Sequence, residues 1–509
     1  MSANATAGAR HDIDPEFLAL PLRTVADAAI QRARDLGASH AEVRTERGRL
    51  QAMALRDARL QTSVDLTDTG VSVRVLHDGA WGFAAAVDID PATAQRLAEQ
   101  AVELARTCKP LTSEPVVLAD EPVHADVTWV SAYTEDPFGV PVATKIALLG
   151  DRSATLLAHP AVDHVDASFQ AVLEQKFYAD SAGTVSTQQR VRVHPELTAV
   201  TLDAGDAGFE DMRTLAPPTA RGWEFVTGTG WDWATELAQL PDLLAERAAA
   251  PSVRAGRYDL VIDPSNLWLT IHESIGHGTE LDRALGYEAA YAGTTFATFD
   301  QLGELRYGSP VMQVTGDRTA EHGLATVGYD DEGVATTQWD VVRDGVLVGY
   351  QLNRQMAAMK GLGASNGCAF ADSAAHVPLQ RMANVSLQPA DDGPATDELI
   401  ADVDDGLYVV GDKSWSIDMQ RYNFQFTGQR VYAIRNGRLA GQVRDFAYQS
   451  KTPDFWGSMA AVGGPQTYVL GGTFMCGKGQ PGQTAPVSHG CPSALFRGVN
   501  VLNTREENG

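Results

Sequence analysis

The sequence is poor in basic residues, in cysteine and in long apolar runs, and each shortage excludes a class of protein. Lys and Arg number 40 against 65 Asp and Glu, which gives a formal net charge of −25. Because phosphate contacts need clustered cationic side chains, this balance argues against nucleic acid or an anionic membrane surface as a partner. No apolar run reaches the roughly 18 residues that a transmembrane helix requires, so no membrane span is predicted.

Cysteine is too scarce to build a disulfide framework in a chain of 509 residues: only Cys108, Cys368, Cys476 and Cys491 are present. The first residues also lack the basic and apolar regions of a secretory signal peptide. We therefore expect a cytoplasmic protein.

The pattern of helix and strand signals predicts an α+β protein. In the N-terminal half, helical periodicity over 22–36 and 91–107 alternates with strand patterns and a hairpin turn at Asp78 and Gly79, which predicts helices on an antiparallel sheet. From about residue 310 most segments are typical of strands joined by Asp-Gly and Asn-Gly turns, which predicts a β-rich, barrel-like or sandwich-like domain.

These patterns divide the chain into three predicted parts. Residues 1–18 are expected to form a flexible tail, residues 19–225 an N-terminal α/β domain, and residues 226–509 a C-terminal β-rich domain. The C-terminal domain is predicted to carry an irregular metal-binding helix, whose apolar residues from Leu267 to Ile275 should pack on the strands.

The strongest chemical signal is HESIGHGTELD, residues 272–282. His272 and His277 offer imidazole nitrogens to Zn²⁺, and Glu273 is a candidate base for a metal-bound water. The histidines stand at i and i+5, about 140° apart on a regular α-helix. To share one ion, the helix must widen as a π-bulge does, or break near Gly276. Without a metal, the histidines would be core or helix-end groups and Glu273 a solvated charge.

A third metal donor must come from elsewhere in the chain. Cys476 lies in the glycine-rich segment GGTFMCGKGQPGQ, which we predict to be a loop, and its thiolate would be a strong Zn²⁺ ligand. On spacing alone, a small buried side chain in a turn is the more common role. His489 and Cys491 in SHGCPSAL are either auxiliary donors, substrate contacts or structural residues.

Four further polar residues are weaker candidates. Glu280 and Asp282 follow the second histidine and are either acceptors that orient the metal-bound imidazoles or a solvated pair at a helix end. His376 and Arg381, in AHVPLQRMAN, either bind an oxyanion or a substrate carboxylate, or have a structural role at a strand end.

The sequence resembles the TldD/PmbA family, and specifically its metal-binding TldD-like branch. The likeness runs from about residue 20 to about residue 490. It rests on motifs that occur in the expected order: GVSVRVLHDGAWGFAAA, HESIGHGTELD, GYDDEG, AHVPLQRMAN and MCGKGQ. The resemblance implies a two-domain zinc metallopeptidase of the HExxxH type, with Zn²⁺ held by His272, His277 and Cys476 and with Glu273 as the catalytic base.

The resemblance also implies an activity and a partner. Members cleave unfolded or leader peptides, and a TldD-like chain pairs with a related, metal-free PmbA-like chain; pairing with a second copy of itself is the alternative. Near its end this chain reads APVSHGCPSALFRGV where the family usually reads VPVGVGQPTLRV. Because the change introduces His489 and Cys491, a metal-dependent amidase or other hydrolase for a small biosynthetic intermediate stays open as an alternative. A non-catalytic peptide-binding subunit is the second alternative.

Overall fold

The computed structural model describes residues 11–202, 205 and 208–505. Residues 1–10 of the predicted tail lie outside the described residues, whereas Phe17 of the same segment is fully buried. None of the described helices is long and apolar enough to cross a lipid bilayer. The described α-helices are α1 (Pro15–Leu18), α2 (Leu22–Asp35), α3 (Pro91–Cys108), α4 (Val142–Leu157), α5 (Trp223–Thr227), α6 (Trp233–Ala249), α7 (Pro264–Ile271), α8 (Leu281–Ala284), α9 (Arg354–Lys360), α10 (Thr396–Ala401) and α11 (Thr452–Gly457).

The N-terminal half contains one large sheet. Its strands are β1 (His40–Arg56), β2 (Arg59–His77), β3 (Ala80–Ala86), β4 (Val127–Val130), β5 (His164–Asp180), β6 (Val185–Thr201) and β7 (Glu210–Arg213). They pair in the order β3-β2-β1-β5-β6-β4, with β7 also on β6, and only β4 runs parallel to its neighbour. The prediction of helices on an antiparallel sheet is therefore confirmed.

Side-chain alternation gives this sheet two different faces. On one face, Val43 of β1 stands opposite Val73 of β2 and Ala179 of β5, under helices α2 and α3. Helices α4 and α6 cover the other end of the same face, around Phe169 and Leu197. Because α6 packs here, the chain contacts the N-terminal sheet as far as residue 249. The domain boundary after residue 225 remains a prediction.

The opposite face of the sheet is charged and is buried against the C-terminal half. Lys176 of β5 donates to Asp331 of the C-terminal half over 2.8 Å, and Glu174 pairs with Arg190 over 2.8 Å. Glu46 of β1 lies 3.7 Å from Lys176, and its Oε2 has no hydrogen-bond partner among the described residues. The two halves therefore meet through a layer of buried ion pairs.

Strands dominate the C-terminal half, as predicted. They are β8 (Gly256–Ile262), β9 (Val314–Asp317), β10 (Gln338–Arg343), β11 (Val346–Leu347), β12 (Ala369–Phe370), β13 (Leu379–Gln380), β14 (Asn384–Leu387), β15 (Asp405–Ile417), β16 (Asn423–Arg435), β17 (Arg438–Gln442), β18 (Phe446–Lys451), β19 (Met459–Val462), β20 (Val469–Lys478), β21 (Gln483–Cys491) and β22 (Ala494–Asn503). Strands β15, β8, β22, β18 and β16 pair in that order, and β16 also pairs with β15, so the five close into a barrel.

Helix α7 is the element that connects the barrel to the metal motif. It follows β8 directly, and Asp263 caps it by accepting a hydrogen bond from the backbone nitrogen of Ser265 over 3.0 Å. Its side chains Leu267 and Ile271 lie in the same cluster as Phe426 and Tyr448 of the barrel. The predicted packing of this helix on the strands is confirmed, and it fixes the end of α7 beside the hairpin β20–β21.

Candidate metal centre

The backbone widens where the two histidines occur. Helix α7 ends at Ile271, and the chain continues as one π-helical turn, His272–Gly276, and then a 3₁₀ turn, His277–Thr279. The wider turn brings the imidazole centroids to 4.7 Å, although i and i+5 would diverge on a regular helix. A Cβ at Gly276 would meet Met382 Sδ at 2.6 Å, so a larger residue here would displace the end of the Met382 side chain. The predicted π-type distortion is confirmed.

The third donor arrives on a strand rather than on the predicted loop. The glycine-rich segment forms β20, and a Cβ at Gly471 would meet the Trp268 ring at 2.7 Å, so the glycine permits this strand to lie directly against α7. Cys476 Sγ lies 3.7 Å from His277 Nε2. One donor atom from each of His272, His277 and Cys476 lies within 4.8 Å of the others, and all three residues are buried.

The chemistry of this donor set suits zinc. Two imidazoles and one thiolate supply three soft-to-borderline ligands, and such a set leaves a fourth position for water or substrate. Burial alone would raise the pKa of the Cys476 thiol, but His277 and Arg381 outweigh it and lower that pKa. Arg381 also donates to the backbone carbonyl of Cys476, so it holds the strand that presents the thiol and does not face the cleft.

In each of the two histidines, Nδ1 contacts a side chain on the side away from the other donors. His277 Nδ1 lies 2.8 Å from Glu280 Oε2, and His272 Nδ1 lies 2.7 Å from His489 Nε2. Each histidine is therefore engaged through Nδ1, which leaves Nε2 as its donor toward a metal. Of the residues that the sequence offered as weaker candidates, Glu280 and His489 are thus the ones in contact with the histidines.

A buried ionic cluster supports Glu280. Lys478 Nζ lies 3.0 Å from Glu280 Oε1 and 2.8 Å from an oxygen of Asp282, and Arg283 Nε lies 3.3 Å from Glu280 Oε2. Burial alone would raise the pKa of Glu280, but Lys478, His277 and Arg283 hold it well below its ordinary value. For Asp282 burial prevails and raises the pKa. Glu280 is therefore anionic behind His277.

Arg421 is the functional residue that sequence reasoning missed. It occupies the turn between β15 and β16 with a left-handed backbone, φ 58°, and its Nη1 lies 2.5 Å from Glu273 Oε2. Burial alone would raise the pKa of Glu273, but His272, His277 and Arg421 outweigh it and lower that pKa. Only the fold shows this pairing, since the turn sequence DMQRYN carries no motif.

The donors open into a cleft of about 620 Å³ between the two halves of the molecule. The N-terminal half contributes His194 and Arg213, and the C-terminal half contributes Trp268 and Trp415. Most of β20 also lines the cleft, and within the described residues β20 pairs only with β21. The strand that lines the cleft therefore has one edge without a β-partner in the described part of the chain.

Two predicted candidates lie away from the donors. His376 Nδ1 lies 2.6 Å from Asp372 Oδ1, and His376 is not among the described residues that line the cleft. Cys491 Sγ donates to the Pro264 carbonyl over 3.7 Å, and burial raises the pKa of this thiol well above its ordinary value. Cys491 is thus a buried neutral thiol under the start of α7.

Known proteins match most of this chain in sequence. Residues 255–503 match the domain described as the PmbA/TldA metallopeptidase C-terminal domain, and residues 41–105 match PmbA/TldA metallopeptidase domain 1. A metalloprotease of Methanothermobacter thermautotrophicus is 28% identical and covers 97% of this chain and 100% of its own length. A zinc metalloprotease TldD homolog of Saccharolobus solfataricus is 23% identical over 93% of this chain and 98% of its own.

Solved structures share the fold at low identity. A putative modulator of a DNA gyrase from Thermotoga maritima superimposes with a TM-score of 0.72 at 16% identity, covering 94% of this chain and 99% of that protein. TldE from Thermococcus kodakarensis superimposes with a TM-score of 0.68 at 14% identity, covering 93% and 99%. These likenesses establish that the architecture extends over nearly the whole chain.

Proposed function

The chain belongs to the TldD/PmbA family of metallopeptidases, and from that premise we propose that it is a zinc-dependent peptidase that hydrolyses unfolded or leader peptides. The observation that carries the proposal is the meeting of His272, His277 and Cys476 at one point of a cleft, with Glu273 beside them. The zinc in the name of the Saccharolobus relative supports the choice of metal.

Zn²⁺ would be held by Nε2 of His272, Nε2 of His277 and Sγ of Cys476. This assignment follows from the donor types and from the partners that occupy both Nδ1 atoms. When bound, zinc supplies a Lewis acid that polarises a peptide carbonyl and lowers the pKa of water.

Glu273 is the proposed general base. Arg421 engages its Oε2, so we assign the proton transfer to Oε1, which accepts a proton from the attacking water and returns it to the leaving amine. The lowered pKa of Glu273 keeps the carboxylate ionised and ready to accept that proton. Arg421 orients the carboxylate from the turn between β15 and β16.

The free edge of β20 supports an extended peptide as substrate. A peptide that adds to this edge gains backbone hydrogen bonds that do not depend on its sequence, and only an unfolded segment can present them. Trp268, Trp415 and Met475 line the cleft and offer apolar surface to alternate side chains of the peptide. We infer broad specificity with a preference for apolar residues near the cleaved bond.

A small-molecule amide is the second candidate substrate. The cleft volume of about 620 Å³ falls within the range of roughly 300–1,000 Å³ that is typical of small-ligand pockets. The departure from the usual family sequence around His489 also favours a specialised substrate. A purely peptide-binding subunit is the least favoured alternative, because binding alone does not require Glu273 together with three metal donors.

We further propose a dimer, either with a metal-free PmbA-like chain or with a second copy, as the family resemblance implies. A cytoplasmic location is proposed as well, in keeping with four cysteines that are free in the described structure. Mass measurement of the protein purified alone and with a co-expressed PmbA-like chain distinguishes the two dimers.

The deciding experiment compares the wild type with Glu273→Gln. Zinc is measured by elemental analysis, and cleavage is measured on unfolded casein and on a panel of small amides. We expect the variant to keep about one zinc per chain and to lose roughly 10²–10⁴-fold in rate. The exposed Glu321→Gln variant is the matched control and should behave as the wild type. Equal activity of the wild type and Glu273→Gln would refute the mechanism. Cleavage of small amides without cleavage of casein would show that the substrate is a small amide rather than a peptide.

A further inference from the structure

His489 lies behind the metal donors with both ring nitrogens engaged. It belongs to β21 and is fully buried. Its Nδ1 lies 2.7 Å from the backbone carbonyl oxygen of Val385 in β14. A carbonyl oxygen only accepts hydrogen bonds, so His489 Nδ1 must carry the hydrogen.

That assignment determines the hydrogen at the next contact. Neither nitrogen of His489 contacts a carboxylate among the described residues, so nothing nearby stabilises a charged ring in this buried place. A neutral imidazole with hydrogen on Nδ1 has a lone pair on Nε2. His272 Nδ1, 2.7 Å away, is therefore the donor, and His272 Nε2 carries the lone pair on the side of His277 and Cys476.

The ring of His489 is also fixed in place by its surroundings. Trp268 stacks against it with the two ring planes only 11° apart. The backbone nitrogen of Gly490 donates to Ser386 Oγ over 2.9 Å, which ties β21 to the strand that carries Val385. The hydrogen-bond chain from Val385 to His272 thus runs through atoms that packing holds on both sides.

We propose that His489 is a positioning residue that sets the tautomer and orientation of His272, so that His272 presents Nε2 to the metal. The inference rests on the metal site of the proposed function. It gives the two histidine ligands different supports, since a carboxylate stands behind His277 and a neutral imidazole behind His272. A site with a carboxylate behind both histidines would place more negative charge around the ion. With a carboxylate behind His277 alone, a bound ion would keep more of its positive charge to polarise a substrate carbonyl.

The test compares substitutions that keep or remove the acceptor at the position of Nε2. His489→Gln retains an amide oxygen of similar reach, whereas His489→Leu removes the acceptor and His489→Asn keeps polarity but is too short. Zinc affinity is measured by competition with a chromophoric chelator, and the visible spectrum of the Co²⁺-substituted protein reports the ligand set. We expect His489→Leu and His489→Asn to bind zinc 10–100-fold more weakly, and His489→Gln to lie within a few-fold of the wild type.

Cys491→Ala is the control, because it removes a buried side chain of the same strand without contact to a donor; its zinc affinity should not change. Should His489→Leu fail to fold, the comparison of Asn with Gln decides. Equal affinities of the Leu, Asn and Gln variants would overturn the role of His489 while leaving a zinc-binding wild type and its proposed function intact. A wild type that binds no zinc would overturn both.

Discussion

Lys478 Nζ and Glu280 Oε1 lie 3.0 Å apart, with each side chain only 1% exposed. The pair joins the hairpin that carries Cys476 to the segment that carries His277. Asp282 contacts the same ammonium group, so one lysine pairs with two buried carboxyl groups. The electrostatic support of the donors thus depends on a lysine that touches none of them.

Removal of that cation should destabilise the protein strongly. Lys478→Met removes the cation that both carboxyl groups contact and leaves buried Asp282 without an ion-pair partner among the described residues, whereas Glu280 keeps Arg283. The loss is expected to be on the order of 3–5 kcal/mol in the free energy of unfolding. Denaturant unfolding of the metal-free protein measures this loss. The half-buried Lys413, which also pairs with two acidic groups, is the matched control, and Lys413→Met should cost less than about 1 kcal/mol. Similar losses for the two variants would contradict the importance of burial here.

The contact of Arg421 with Glu273 predicts a defect in rate rather than in metal binding. Arg421→Gln leaves the base without the cation that orients it, and we expect kcat to fall about 10–100-fold, or roughly 1.4–2.7 kcal/mol in the barrier. Zinc content should stay at the wild-type level, and Arg421→Lys should recover part of the rate. Loss of zinc from Arg421→Gln would show instead that the residue supports the donors.

The two cysteines near the end of the chain should behave differently. Cys476→Ala removes one of three donors, so the purified variant is expected to lose its zinc and its peptidase activity together. Cys491→Ala, which alters a thiol under α7, should keep both. Elemental analysis and casein cleavage on the same samples measure the two effects, and a zinc-free Cys491→Ala protein would argue against the assigned donor set.

Glu46 predicts a pH dependence of stability. Burial raises its pKa from an ordinary 4.5 to about 7, and the cations Lys176 and Arg44 offset only part of that rise. Between these values the folded state keeps a proton that the unfolded state has lost, so stability is full at low pH and falls as the pH rises through 7.

The matched comparison uses thermal midpoints at pH 5 and pH 8. Glu46→Gln removes the titrating group. The thermal midpoint of this variant should therefore fall less between pH 5 and pH 8 than that of the wild type, by about 2–5 °C. The exposed Glu16→Gln variant should reproduce the wild-type decrease. Parallel decreases in the wild type and Glu46→Gln would exclude Glu46 as the source.

The spacing of residues along one helix was enough to predict part of the metal centre. For His272 and His277 to share one ion, their spacing requires a helix that either widens or breaks near Gly276, and the π-helical turn is the first of these two forms. Residue type made Cys476 a candidate donor, but only the family resemblance assigned it as a ligand, since its distance from the histidines depends on how β20 packs against α7. The glycines around Cys476 suggested a loop. Glycine also suits a strand that packs closely against a helix, and the structure shows this second case.

Other contacts could not be predicted, because they join segments far apart in the sequence. Arg421 is 148 positions from Glu273 and His489 is 217 positions from His272, and no periodicity relates such residues. The buried charges of the N-terminal sheet were equally hidden. Glu46 and Lys176 are ionisable residues of the kind that usually face solvent, yet the C-terminal half covers that face of the sheet.

The separation of the donors along the chain has a mechanical consequence. His277 and Cys476 are 199 positions apart, so an ion bound by both would join the ends of a segment of that length. A cross-link over about 200 residues reduces the entropy of the unfolded chain by an amount equivalent to about 5 kcal/mol. The cysteines of the described residues form no disulfide, so a bound ion would act as a reversible cross-link. Its removal would leave the β20–β21 hairpin held to α7 by side-chain packing and to the segment of His277 by the Lys478–Glu280 pair.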